Sequence, residues 1–446
     1  MLDLLLVILF CILGVITGIA TGLLPGLHVN NIALILLSLS GAIIAGFSFL
    51  FEFGISKEFI LLLICVYIIS TSISHTFHDV IPSTFLGAPD PDTALSVLPA
   101  HSLLVEGRGY EAVALSAMGS YGAVVFCFLL LFPIRFLIGS PLFGYEVLRG
   151  IMLFVLLAIS VLMICTEKGR VDILGRGGVS SCFLGMLFAL FIFILSGLFG
   201  LVIFDVPVGS PIGLSSPVLF PALAGLFGMP TLFESLLTKP VIPDQSLVDP
   251  VVDGEMKRSS MLSVMTGSLG GILVSIIPGI TSATGTVLAM NSRGASGRRQ
   301  TIITLSAVNT ACAFFVVVMM FVILRSRSGA TLAAMELISV SEWSGFLMPE
   351  YLSFLLIAVL LGGTLSYFFT LRVGKIFARS FVKVPYVKVV VFTIIFVCVL
   401  VFLFTGLMGL LVLLVASFIG LLPVRWGVRR SHCMGILLVP IILYFL

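Results

Sequence analysis

The chain has 446 residues, 60% of them apolar and 10% charged, with a mean hydropathy of +1.28. A water-soluble protein of this length carries about 25% charged residues, so most of this surface faces something other than water and a soluble globular class is excluded. The net charge of +3 selects no partner, nucleic acid included; where the charges lie says more than their total.

Taken in chain order, the sequence reads as an all-α polytopic membrane protein. Apolar runs recur that are long enough to cross a hydrocarbon core of ~30 Å. An apolar hairpin is expected at about 4–51, broken at 24–31, and crossings follow near 59–78, 112–139, 150–165, 178–204 and 218–235. The stretch 80–105 is too irregular to cross. The longest polar connection, 237–258, divides the chain into a first half at 1–236 and a second at 259–446. The second half opens with an apolar stretch at 260–290, broken at 278–282, then crosses near 301–324, 352–372, 389–404, 406–422 and 433–446. The expected total is about ten crossings plus two re-entrant hairpins, in a multi-pass protein of the cell membrane. The first helix is not a signal peptide, because Asp3 stands where a basic segment belongs and no small-residue cleavage site follows. The eight cysteines form no C-x-x-C pair and read as small buried apolar residues.

The basic residues test this layout. Of 23 Lys and Arg, 18 fall in connections on one side, and only Lys57, Arg135, Arg149, Arg325 and Arg327 fall on the other. This bias predicts both termini on the non-cytoplasmic side. Lys257 and Arg258 precede the broken stretch at 260–290, and Arg293, Arg298 and Arg299 follow it. Both flanks are basic, so the stretch is expected to enter from the cytoplasm and return.

The two broken stretches match. Gly14, Gly18, Gly22, Pro25 and Gly26 correspond to Gly267, Gly271, Ser275, Pro278 and Gly279, a shared G-x3-G-x3-small-x2-P-G pattern. Small residues four apart let helices approach closely, proline removes a backbone donor, and glycine allows the turn. Short polar side chains follow each break: His28, Asn30 and Asn31 in the first, Thr281, Ser282, Thr284 and Thr286 in the second. Paired interruptions in two halves mark a transporter's substrate site, and an odd number of crossings between them makes the repeat inverted. A half-helix starting after each break aims its positive end at the membrane centre, which favours an anion. The candidate substrate residues are therefore Pro25, Gly26, His28, Asn30, Asn31, Pro278, Gly279, Thr281, Ser282 and Thr284.

The stretch 75–108 holds most of the remaining polar chemistry. His75, His78 and Asp79 share one helix face and could ligate a metal together with His28 or His101, although no metal-site motif is present. Ionisable groups at membrane depth more often handle a coupling ion. Asp79 and Asp90 are the expected sodium or proton carriers, with Asn309 as a polar partner. No nucleophile elbow, P-loop or dinucleotide fingerprint occurs, so no catalytic residue, metal or resident cofactor is assigned.

Four segments in order resemble the TctA family, the large membrane subunit of the tripartite tricarboxylate transporters: LLPGLHVNN at 23–31, FLGAPDPDTALSVLPAH at 85–101 with LLVEGRGYEAVAL after it, PALAGLFGMPTLFESL at 221–236, and IIPGITSATGT at 276–286. The chain resembles a divergent member of an archaeal kind. The resemblance implies cation-coupled uptake of carboxylates, with a small membrane subunit and an extracytoplasmic binding protein as partners. The reading is a secondary transporter of a small organic anion in contact with membrane lipid. The competing readings are a transporter of a lipid-linked phosphate and a membrane-embedded metal enzyme built on His75, His78 and Asp79.

Overall fold

A computed structural model describes residues 2–24, 32–33, 36–37, 39–85, 97–167, 179–211, 218–238, 243–251, 253–278, 280–293, 297–381 and 386–446. Among them there are helices and no strands. That is the expected result where no water is present to bond an open backbone.

The first hairpin arm is α1 (Leu2–Leu23), followed by the short α2 (Ser40–Gly46) and a 3-10 turn at Ser48–Phe53. Then come α3 (Lys57–His78), α4 (Val80–Phe85), α5 (Val97–Val105) and the long α6 (Gly109–Ile138). A bent pair, α7 (Gly144–Gly150) and α8 (Met152–Cys165), turns by 72°. It leads to α9 (Val179–Ile203), and a broken helix comprises α10 (Leu219–Leu223), a π turn at Ala224–Gly228 and α11 (Met229–Thr238). The second hairpin is α12 (Gly254–Ile276) and α13 (Ser282–Asn291). After it run α14 (Arg298–Val322), α15 (Gly329–Leu337), α16 (Glu350–Phe381), α17 (Tyr386–Trp426), a 3-10 turn at Arg430–Met434 and α18 (Gly435–Phe445).

By length and composition eight of the described helices can cross a membrane, or nine with the bent pair as one. The expected tally of about ten differs at identifiable places. Leu219–Glu234 and Arg430–Phe445 are apolar but short, and the expected crossings at 389–404 and 406–422 join into one helical run. That run is interrupted at Gly406, whose φ of 66° and ψ of −159° leave the helix. A Cβ there would lie 2.6 Å from Gly209 O, so glycine is required on two counts. The arms α1 and α12, at 22 and 23 residues, are of full span length.

The glycine stripes decide how the helices pack. A Cβ on Gly14 would sit 2.6 Å from Tyr67 O, one on Gly18 2.4 Å from Ser74 Cβ, and one on Gly22 2.8 Å from His78 Cβ. Each step of four along α1 advances four along α3, so the two lie parallel with their backbones nearly touching. In the second set, a Cβ on Gly267 would meet Thr304 O at 2.7 Å and one on Gly271 would meet Val308 O at 2.4 Å. There α12 lies parallel to α14 in the same way. Between them α13 runs back along α12: Gly285 opposes Val274, and Arg293 Nη1 donates to Ser263 Oγ at 2.6 Å. The chain thus goes out, returns and goes out again.

The two parallel pairs point in opposite directions. Asn309 of α14 faces Asp79 just past the end of α3, while Ala313 and Val317 border a common cleft with Ile73 and Ile69. The α14 positions rise as the α3 positions fall. An apolar core of α3, α6, α14 and α16 side chains fills the centre, with Phe128 packed edge-on against Phe314 at 4.9 Å. A Cβ on Gly225 would meet Leu413 O at 2.6 Å, and one on Gly435 would meet Phe193 O at 2.1 Å. Each short broken helix is thereby seated on one long one.

Gly271→Ala should destabilise the protein by about 1–3 kcal/mol through overpacking. Gly41→Ala in α2, where nothing lies within 4 Å, should be neutral or slightly stabilising, since alanine is the better helix former. Thermal melting of both variants in detergent measures the contrast, and equal melting temperatures would show that the stripe does not set the packing.

Candidate functional site

Polar chemistry gathers where the end of α3 meets the break between α12 and α13. Ser282, the first residue of α13, donates from Oγ to Asn309 Oδ1 at 3.2 Å. Asn309 Nδ2 donates to Asp79 Oδ2 at 3.4 Å. Ser282, Asn309 and Asp79 are all buried. Three candidates read from the sequence, one as a substrate residue and two as ion-coupling residues, therefore form a single chain across the two opposed helix pairs.

Local structure explains the placement. Thr281 caps α13, accepting from Thr284 N at 3.5 Å, and Thr286 Oγ1 donates to Ser282 O at 2.7 Å. Capping of this kind satisfies backbone donors that the preceding break would otherwise leave bare. Thr281 Oγ1 also donates to the Met434 thioether at 3.5 Å, which ties the break to the 3-10 turn before α18. Thr284 is buried, and its hydroxyl has no hydrogen-bond partner among the described residues. Pro278 is half-buried in the turn itself.

On the α1 side, Thr21 donates to Gly18 O at 3.2 Å and its oxygen meets His75 Nδ1 at 3.1 Å. His78 Nδ1 donates to Ser74 O at 2.7 Å, while Nε2 faces Thr370 Oγ1 of α16 at 3.3 Å. Both ring nitrogens of His78 are thus engaged by α3 and α16. The close seat of Gly22 on His78 and on the amide of Asp79 puts the end of α1 beside the Asp79–Asn309 pair. Pro25, Gly26, His28, Asn30, Asn31, Asp90 and Gly279 lie outside the described residues.

A second polar cluster touches the same break through Met434, and sequence reasoning missed it. Glu167 Oε2 accepts from His432 Nε2 at 2.7 Å, from Arg429 N at 3.0 Å and from Arg429 Nε at 3.1 Å. Next to it the buried Arg430 donates to Thr231 Oγ1 and reaches Glu234 Oε2 at 3.5 Å. The partners stand about two hundred residues or more apart, and no local pattern announces them. At the end that carries most of the basic residues, arginines and acids pair: Arg298 with Glu106 at 2.6 Å, Arg299 and Arg108 with Glu111 at 2.7 Å each, and Lys375 with Asp249 at 3.3 Å. Tyr110 also donates to Asp249, and Ser246 N donates to Gly107 O at 2.7 Å. These bonds hold the polar connection before α12 against the start of α6.

The family model described as "Tripartite tricarboxylate transporter TctA family" matches residues 8–435. The chain belongs to the TctA family. Its members are membrane components of a transporter and not enzymes, which sets aside the metal-enzyme reading of His75, His78 and Asp79. The chain is also 28% identical over 428 residues to an uncharacterized protein of Methanocaldococcus jannaschii, covering 95% of this chain and 94% of that one. No solved structure matches it. Like the family, this TctA protein is a multi-pass membrane protein.

Glu167 gives this TctA protein an acid-sensitive joint. Burial alone would raise its carboxyl, but the hydrogen bonds and charge supplied by His432 and Arg429 overcome that and pull it down to about 2. A carboxyl depressed in the folded state contributes stability that is present above its unfolded value of about 4.3 and is lost as pH falls towards 2. Between pH 6 and pH 3 the melting temperature should fall further in the wild type than in Glu167→Gln. The same fall in both would remove Glu167 from the account.

Proposed function

We propose that this TctA protein is a secondary permease for a small organic carboxylate, driven by sodium or protons. The observation that carries the reading is the Ser282–Asn309–Asp79 chain. It joins the start of a helix, which favours an anion, to a buried carboxylate suited to a cation or proton. Substrate would lie at the Pro278 break, against Thr281, Ser282 and Thr284, with Pro25, Gly26, His28, Asn30 and Asn31 as the further contacts that the sequence proposes. The coupling ion would lie at Asp79. Asn309 would report between them, because its amide donates to one and accepts from the other. The two opposed pairs act as the two halves of an alternating-access device, with the division at 237–258. By family likeness, a small membrane subunit and an extracytoplasmic binding protein would deliver the substrate.

The reading is tested on purified protein by thermal shift with citrate, with and without sodium and across pH. A ligand of the folded state raises apparent stability by mass action. Citrate should stabilise the wild type, and the effect should depend on sodium or on pH. Asp79→Asn should abolish that dependence. Ser282→Ala should raise the half-saturating citrate concentration about tenfold, as expected for one hydrogen bond to a charged group. Citrate binding that is indifferent to the ion in the wild type, or unchanged in both variants, would refute the assignment.

A further inference from the structure

Five basic residues sit on the side that the positive-inside bias leaves nearly bare, and each has a definite place. Lys57 opens α3. Arg149 reaches Glu146 at 3.9 Å. Arg135 is held by carbonyls and rings: it donates to Trp343 O at 2.7 and 3.1 Å and to Ser140 O at 2.7 Å, and it lies over the Phe136 and Trp343 rings. Arg325 lies over the Tyr145 ring at 5.7 Å. Arg327 does something different. Its Nη1 donates to Ile276 O and its Nη2 to Ile277 O at 2.5 Å, the last two carbonyls before Pro278.

The position of Arg327 is fixed rather than incidental. Its amide donates to Thr331 Oγ1 at 3.3 Å, and Ser328 and Thr331 close a capping box that starts α15. The loop thereby holds the guanidinium over the end of α12. Among the described residues, Tyr145, Cys312 and Arg325 act on it electrostatically. Among the described residues no acid is ion-paired with either Arg325 or Arg327, whereas Arg298, Arg299, Arg429 and Arg430 elsewhere all have acids. The end of a helix supplies about half an elementary negative charge. The guanidinium carries a full positive one, so about half a charge is left without an opposite at a partly buried site.

Building on the carboxylate reading above, we propose that Arg327 is the receptor for one carboxylate of a di- or tricarboxylate substrate approaching the Pro278 break from the side opposite the basic end. Four residues separate Ile277, which Arg327 holds, from Ser282, which starts α13. Arg327 and the Ser282–Asn309–Asp79 chain therefore flank the same break. A substrate with two carboxylates places one on the guanidinium and the other at the start of α13. Ile276 O and Ile277 O take two of the five guanidinium N–H groups, and the three that remain suit a carboxylate in two-point contact, which a lysine ammonium cannot reproduce. Because the same side chain holds the end of α12, arrival of the anion and the geometry of the break are linked through it.

The test is citrate titration by thermal shift on purified full-length wild type, Arg327→Gln, Arg327→Lys and Arg325→Gln. The half-saturating citrate concentration should rise about tenfold or more in Arg327→Gln, rise clearly in Arg327→Lys, and change by less than about threefold in Arg325→Gln. A role confined to holding α12 would instead lower the melting temperature without citrate and leave half-saturation unchanged, which would overturn the proposal. If Arg327→Gln does not fold, Arg327→Lys decides it by the same criterion. No citrate response in the wild type would overturn the carboxylate reading itself, a different result from a wild-type response that Arg327→Gln and Arg327→Lys both retain.

Discussion

A helix break inside a membrane has no water to turn to, so every amide and carbonyl it frees must find a partner within the protein. The break at Pro278 meets that constraint from several directions. Ile277 N still reaches Leu273 O, Arg327 takes the carbonyls of Ile276 and Ile277, Thr281 caps the outgoing helix, and Gly285 N closes its first turn on Thr281 O. The partners come from α12, α13 and the loop before α15. Irregular backbone can exist here only because these elements converge on it, and the same convergence brings Ser282 to Asn309 and Asp79.

Close helix approach makes the convergence possible. With glycine at positions 14, 18 and 22 and at 267 and 271, the first arm of each hairpin sinks onto the backbone of the helix it accompanies. In lipid the gain comes from van der Waals contact rather than from excluding water, so a missing Cβ matters more than an added apolar one. The parallel course of α1 with α3 and of α12 with α14 requires a returning segment between them.

Much of this was legible in the sequence because it is written locally. The G-x3-G-x3-small-x2-P-G pattern gave the stripes, the break and the return, and the polar tail after Pro278 gave Thr281 and Ser282. Asn309 was legible as a polar side chain on a helix of the second half that could partner the acids of the first. The division between the expected crossings at 389–404 and 406–422 was legible too, since the backbone leaves the helix at Gly406. The Glu167–His432 pair and the Arg430 contacts were not legible, since their partners are brought together only by the packing of the end of α8, α11 and the turn before α18. Arg327 left a faint trace as an exception to the charge bias.

Charged contacts differ between the two ends of the molecule. One end is laced by arginine–acid pairs and a strap across the connection before α12, while Arg135, Arg325 and Arg327 at the other end face carbonyls and aromatic rings. If the two hairpins enter from opposite faces, the connections at their bases lie on opposite sides of the membrane. Single cysteines at Phe53 and at Ser292, both exposed, placed in a background lacking the native cysteines, measure this with a membrane-impermeant maleimide. In right-side-out vesicles Phe53→Cys should label and Ser292→Cys should not, with the pattern reversed in inverted vesicles. Labelling of both from the same side would contradict the opposed arrangement on which the site depends.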